Sequence, residues 1–198
     1  MRTAVVVIAL LLALAAGFGA YIQQRGFSTR GEASALEASL AGAVRDASVP
    51  KAYRRMRNAV DCTDAVLAEA RAHWADHCAT CHANNGGGDT MLGRTMYPKP
   101  PDMRLEATQR QSDGALYYTI NNGIRMSGMP AFGQPGDGDA DSWKLVCLVR
   151  HLPRMTDEEE RRMRALNPKT TDEIEEEKQE DEFLNGGNPA DHVGHHQH

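Results

Sequence analysis

The fold and the chemistry of this chain depend on one stretch, residues 74–82, which reads WADHCATCH. Its last five residues, from Cys78 to His82, form a C-x-x-C-H motif, the attachment pattern of a c-type haem. Two thiols three residues apart on a helical turn face the same side, so both can add to the vinyl groups of one porphyrin. The adjacent imidazole can then ligate the iron. We therefore expect one covalently bound haem c, held by Cys78 and Cys81, with His82 as an iron ligand.

Two other uses of a C-x-x-C pair have sequence requirements that can be checked. A redox-active pair is expected to follow a strand, and half of a zinc site needs a second ligand pair at similar spacing. The sequence around residues 74–82 provides neither. Haem attachment is therefore the preferred interpretation of the motif.

The size and charge of the chain limit the classes of function. Its 198 residues suffice for one ordinary domain with appendages, and a formal charge of −5 argues against nucleic acid as the main partner. The excess acidity lies at the carboxyl end, where residues 151–198 carry 6 basic and 13 acidic side chains. Residues 23–60 carry 7 basic and 3 acidic side chains, which is typical of a basic linker beside a membrane.

The amino terminus contains an uncharged apolar run from Ala4 to Ile22, preceded by Arg2. As a helix the run is long enough to cross a bilayer, and the preceding positive charge favours export of the chain that follows it. A cleaved signal peptide is the alternative, although the small residues near Ala20 form a poor cleavage site. We expect an anchor or uncleaved signal at 1–22, the basic linker at 23–60, a haem domain at 61–153 and a charged tail at 154–198.

Capping residues and stop signals predict the helices of the haem domain. Leu67, Ala70 and Trp74 recur at helical spacing before the attachment motif, so we expect Trp74 on the haem side of the first helix. The first helix is expected to begin at Asp64, after the capping residue Thr63. The second is expected to run from Asp113, after Ser112, to Asn122, before Gly123. The third is expected to run from Ser142, after Asp139 or Asp141, to Leu152, before Pro153.

The second iron ligand is expected to come from the loop GIRMSGMPAFG, residues 123–133. Met129 lies between glycine and proline, in a rigid extended loop with little core to fill, and is the preferred thioether ligand. One carbonyl of residues 97–101 is expected to accept the Nδ1 proton of His82. Other possible ligands remain in the sequence: Met126, His73, His77 and His151.

Together these motifs resemble a class I c-type cytochrome. The resemblance rests on W-x-x-x-C-x-x-C-H at 74–82, INNGI at 120–124, GMPAF at 128–132 and SWKLVCLVRHL at 142–152. It implies an all-α fold around one haem, with crossing first and last helices, His82 and Met129 as axial ligands, and electron transfer between redox protein partners. With the apolar amino terminus, the chain is similar to membrane-anchored monohaem cytochromes of bacteria, which implies the inner membrane and a periplasmic haem domain.

Two cysteines depart from the family pattern. Cys147 occupies a position in the last helix where such cytochromes usually have an aromatic residue, and Cys62 precedes the first helix. Because these helices cross in the family, the resemblance allows a Cys62 to Cys147 disulfide, with two free thiols as the alternative. A separation of the Cα atoms above about 7 Å would exclude the bridge.

Two alternative functions follow from other features. If Met129 dissociates, the protein is a haem enzyme or a gas sensor. A metal-handling protein is suggested by the HVGHHQH terminus, which offers ligands for copper, nickel or zinc at His192, His195, His196 and His198. Before that terminus, Thr156 to Glu159 predict a capping box. The acidic run at 172–182 is expected to be a disordered, solvated tail, with a partner-docking tail as the alternative.

Overall fold

The computed structural model describes residues 2–26, 28–134, 138–169 and 171–184. These residues form helices and no strand. The helices are Arg2–Arg25 (α1), Ala35–Ser48 (α2), Lys51–Arg54 (α3), Asp64–His73 (α4), Ala79–His82 (α5), Met91–Thr95 (α6), Glu106–Gln109 (α7), Asp113–Asn122 (α8), Ala140–His151 (α9), Asp157–Arg164 (α10) and Thr171–Leu184 (α11), with a π-helix at Trp74–Cys78 and a 3-10 helix at Leu152–Arg154.

The core lies where α4 and α8 pack against α9. The rings of Tyr117 on α8 and Trp143 on α9 stack with their centroids 4.1 Å apart, and both residues are buried. Trp74, at the start of the π-helix, and the aliphatic side chains of α9 complete this core. The all-α fold and the packing of the first helix of the haem domain against the last are therefore confirmed.

Local capping hydrogen bonds explain where the helices begin. The hydroxyl of Thr63 accepts a hydrogen bond from the backbone of Val66, and that of Ser112 accepts one from Ala115. Both helices begin at the expected residue. The last helix begins at Ala140, two residues before the expected start, because Asp139 rather than Asp141 is the capping residue.

A disulfide joins Cys62 to Cys147, with the Cα atoms 5.4 Å apart. It ties the segment preceding α4 to the middle of α9. The side-chain amide of Asn58 lies beside it and donates a hydrogen bond to the backbone carbonyl of Trp143 at 3.1 Å. The structure therefore favours the bridge over the two free thiols.

Replacing both Cys62 and Cys147 with Ser is expected to lower the free energy of unfolding by about 2–4 kcal/mol, because the bridge closes a long loop in the unfolded chain. Chemical denaturation measures the change. A disulfide reductant should bring the unmodified chain to the stability of the double variant and leave that variant unchanged. Equal stability of the oxidised chain and the variant would contradict the bridge.

At the end of the haem domain, Glu159 connects three elements. The expected capping box is present, since the Glu159 carboxylate accepts a hydrogen bond from the Thr156 backbone at 2.8 Å. The same carboxylate contacts the His151 ring on α9 at 2.8 Å and forms an ion pair with Arg71 on α4. Burial alone would raise the pKa of Glu159, but hydrogen bonds from the Thr156 backbone, from His151 and from the Thr156 hydroxyl lower it to about 2. Glu159 therefore fastens α10 to α4 and α9.

A Glu159→Gln substitution is expected to lower the free energy of unfolding at pH 7 by about 1–2 kcal/mol, since it removes a charged acceptor from three partners. Because the carboxyl pKa is lower in the folded chain than its ordinary value of 4.5, the stabilisation is complete above pH 4.5 and disappears as the pH falls towards 2. Denaturation at pH 7 and at pH 3 measures this trend. Glu158→Gln, which removes a carboxylate from neighbouring exposed ion pairs, is the control and should change the free energy of unfolding little. Equal losses of stability in the two variants would contradict the role of Glu159 in joining the helices.

Outside the core, α1 is a single apolar helix whose residues 2–24 are long and apolar enough to span a membrane, with none of its most apolar window buried. A signal sequence would pass the same test. The basic segment 23–60 contains two helices, α2 and α3.

The disorder expected for residues 172–182 is wrong, because these residues lie within α11. Their Glu, Lys and Gln residues have good intrinsic helix propensity.

Candidate functional site

The attachment motif lies where three helical segments follow one another. Helix α4 continues into the π-helix, which ends at Cys78, and α5 carries Cys81 and His82. The wider π turn changes the helical register next to the motif, as is frequent at functional sites. Trp74 begins this turn, and its indole donates a hydrogen bond to the carbonyl of Ala83 at 2.9 Å. The backbone around the motif is thereby closed into a compact loop.

Both thiols of the motif are free, with Cys78 buried and Cys81 partly buried. Burial, together with the neighbouring Cys81, raises the pKa of the Cys78 thiol to about 12. A redox-active C-x-x-C instead needs a thiol whose pKa is lowered. The environment of Cys78 therefore disfavours redox exchange and leaves the thiol protonated at neutral pH.

His82 is largely buried beside Trp74, with the ring centroids 5.8 Å apart. Burial lowers the pKa of its imidazole to about 4, so the ring is neutral at physiological pH and retains a nitrogen lone pair for a metal. Its Nδ1 atom is buried and has no hydrogen-bond partner among the described residues. The expected carbonyl from residues 97–101 does not reach it. The carbonyl of Pro100 lies against Gly88 instead, where an added Cβ would be 2.7 Å from that oxygen.

The loop that carries Met129 is fixed by its own backbone. The amide of Ile124 donates to the Met129 carbonyl at 3.1 Å, and the Met129 amide donates to the Ser127 hydroxyl at 3.1 Å. Gly123 ends α8 with a φ of 68°, and a Cβ there would lie 2.6 Å from the carbonyl carbon of Pro130. Glycine is required at this position for both conformation and space.

His82 and Met129 line the same cavity, which is partly open to solvent. Its apolar walls include Leu116, Ile120 and Val149, from α8 and α9. These elements thus bring two of the predicted ligands to one apolar cavity.

The alternative ligands lie elsewhere. Met126 is 93% exposed, and His151 is held by Glu159. His73 and His77 contact each other, with ring centroids 5.0 Å apart, and are not among the residues that line the cavity.

Sequence reasoning missed most of the residues that line this cavity, and two of them bear on its chemistry. Met103 provides a second thioether at its wall, and Arg45 of α2 also lines it. Met103 follows a proline-rich segment without helical periodicity, and Arg45 lies in the segment interpreted as a linker. No local sequence signal connects either residue to the motif.

The donor set of the cavity fits a haem c. Two thiols for the porphyrin edge belong to the same turn as a neutral, buried imidazole, and the cavity itself is apolar with a thioether at its wall.

The predicted copper, nickel or zinc site at His192, His195, His196 and His198 lies outside the described residues. Within the described part of the chain, no group of three or more His, Cys, Asp or Glu side chains could hold a metal ion.

Residues 65–147 match the family model described as cytochrome c oxidase, cbb3-type, subunit III. The match covers less than half of the chain, and it includes the attachment motif, the Met129 loop and most of α9. No curated protein matches the sequence.

Proposed function

We propose that the chain is a one-electron carrier with one haem c attached through Cys78 and Cys81, because residues 65–147 match a cytochrome family model. His82 and Met129 are the axial ligands in this proposal. The observation that supports it most is that His82 and Met129 line one apolar cavity.

When bound, the haem supplies an iron that exchanges one electron between its ferric and ferrous states, and a thioether opposite an imidazole favours the ferrous state. The protein's part is to keep the iron surroundings constant. The low pKa of His82 keeps its ring neutral and available, and the hydrogen bonds of the Met129 loop limit movement of the thioether. The apolar walls limit the access of water, so less has to reorganise when the charge changes.

We further propose that α1 anchors the protein in the bacterial inner membrane, with the haem domain in the periplasm. The apolar length of α1 and the preceding Arg2 support this orientation. The Cys62 to Cys147 disulfide supports an oxidising compartment. The family description names an oxidase subunit, so an oxidase complex is one class of redox partner for this chain.

Carbon monoxide separates the electron carrier from a haem enzyme or a gas sensor. A carrier keeps both axial ligands, so the reduced full-length protein should show a c-type absorption spectrum that carbon monoxide leaves unchanged over minutes. Rapid formation of a carbon monoxide adduct would favour the enzyme or sensor, because it requires Met129 to leave the iron. Absence of any haem spectrum would refute the electron carrier as well as the haem enzyme or gas sensor.

A further inference from the structure

Helix α2 precedes the residues that match the family model, yet it is fastened to the haem domain at its amino end and held at its carboxyl end by α3, which packs against α8. At its amino end, Glu37 accepts a hydrogen bond from the Tyr97 hydroxyl, and Glu32, just before the helix, pairs with Lys99 at 3.4 Å. At its carboxyl end, Val49 is buried and its carbonyl accepts a hydrogen bond from Arg54 at 3.0 Å. The helix therefore has a defined place on the domain.

This placement puts Arg45 at the cavity that also holds His82 and Met129. Among the described residues that line it, Arg45 alone has a permanently charged side chain; the others are apolar, neutral polar, or the imidazole of His82. Asp46 accepts hydrogen bonds from Nε and Nη2 of the guanidinium at 3.0 and 2.8 Å. A guanidinium has five N–H donors, so three remain beyond that pair.

The pair with Asp46 leaves Arg45 able to take a second anion, because the side chains of Arg45 and Asp46 are 36% and 60% exposed and water screens their attraction. A haem carries two propionate groups, which are its only anions, and guanidinium matches carboxylate geometry. We propose that Arg45 pairs with a propionate of the bound haem, so that α2 is part of the cofactor site rather than a passive linker. This inference rests on the proposed function.

The pairing has a consequence for the redox equilibrium. Ferric iron carries one positive charge more than ferrous iron, so an uncompensated propionate stabilises the ferric state. By neutralising a propionate, Arg45 favours the reduced state and raises the reduction potential.

The test is the midpoint potential of the haem-loaded, full-length protein with Arg45→Gln. We expect the reduction equilibrium to shift towards the ferric form by up to about tenfold, which is 59 mV for a one-electron couple. Arg45→Lys keeps the charge and should retain most of the potential. Arg55→Gln removes the same charge from an exposed residue at the end of α3, and should shift the equilibrium less than about twofold.

An unchanged or raised potential in Arg45→Gln, or a fall equal to that in Arg55→Gln, would overturn the inference. If the Gln variant does not load haem, Arg45→Ala removes the same charge and carries the same expectation. Failure of the proposed function has a different signature, since the unmodified chain would then contain no covalent haem. A haem-loaded Arg45 variant with an unchanged potential refutes only the role of Arg45.

Discussion

Replacing Cys78 and Cys81 together with Ser is expected to abolish covalent haem attachment. Each thioether needs a sulfur, and the other two cysteines of the chain are already joined to each other. A serine hydroxyl lacks the nucleophilicity of a thiol and does not add to a vinyl group under the same conditions. Haem staining after denaturing electrophoresis, together with the intact mass, measures the result, which should be complete loss of haem from the denatured chain.

The single variants and the disulfide variant provide the controls. Cys78→Ser or Cys81→Ser alone should leave one thioether at most, with lower haem loading. The double Ser variant at Cys62 and Cys147 should keep its covalent haem despite its lower stability, because the bridge lies outside the attachment motif. Covalent haem on a chain that lacks both Cys78 and Cys81 would contradict the proposed attachment.

Replacing Met129 with His is expected to give the second large effect. The thioether favours ferrous iron, and an imidazole in its place removes that preference. Axial ligands set haem potentials over a range of about 0.8 V, so we expect the potential to fall by on the order of 0.2 V. The absorption spectrum should change at the same time, and a redox titration followed by absorption records both.

Two matched substitutions show whether Met129 itself is responsible. Met103→Leu removes the other thioether of the cavity. Met126→Leu removes the sulfur of the exposed residue that the sequence offers as an alternative ligand. Both variants should keep the spectrum and the potential close to those of the unmodified chain. If Met103→Leu rather than Met129→His changes the spectrum, the distal ligand is Met103.

The sequence predicts the helices of the haem domain because their ends depend on local hydrogen bonds. Thr63, Ser112 and Thr156 each accept a hydrogen bond from a backbone amide three residues later. The start of α9 is less certain in advance, because Asp139 and Asp141 are both plausible caps and only the fold selects between them.

Features that depend on contacts between residues distant in sequence cannot be predicted from local sequence patterns. The place of α2 on the domain depends on Glu37 reaching Tyr97 and on Glu32 reaching Lys99. Met103 reaches the cavity through the path of an irregular loop, whose amide at Met103 donates to the Gly86 carbonyl. For the same reason the sequence indicates a possible Cys62 to Cys147 bridge only through the resemblance, whereas the packing of α4 on α9 brings the two residues together.

The most direct test of the account is a redox titration of the purified full-length protein, followed by absorption, with the haem content measured per chain. The account predicts one haem per chain, one reversible one-electron wave, and a six-coordinate, low-spin iron in both oxidation states. A chain without covalent haem, more than one haem per chain, or a high-spin iron with an open coordination position would contradict it.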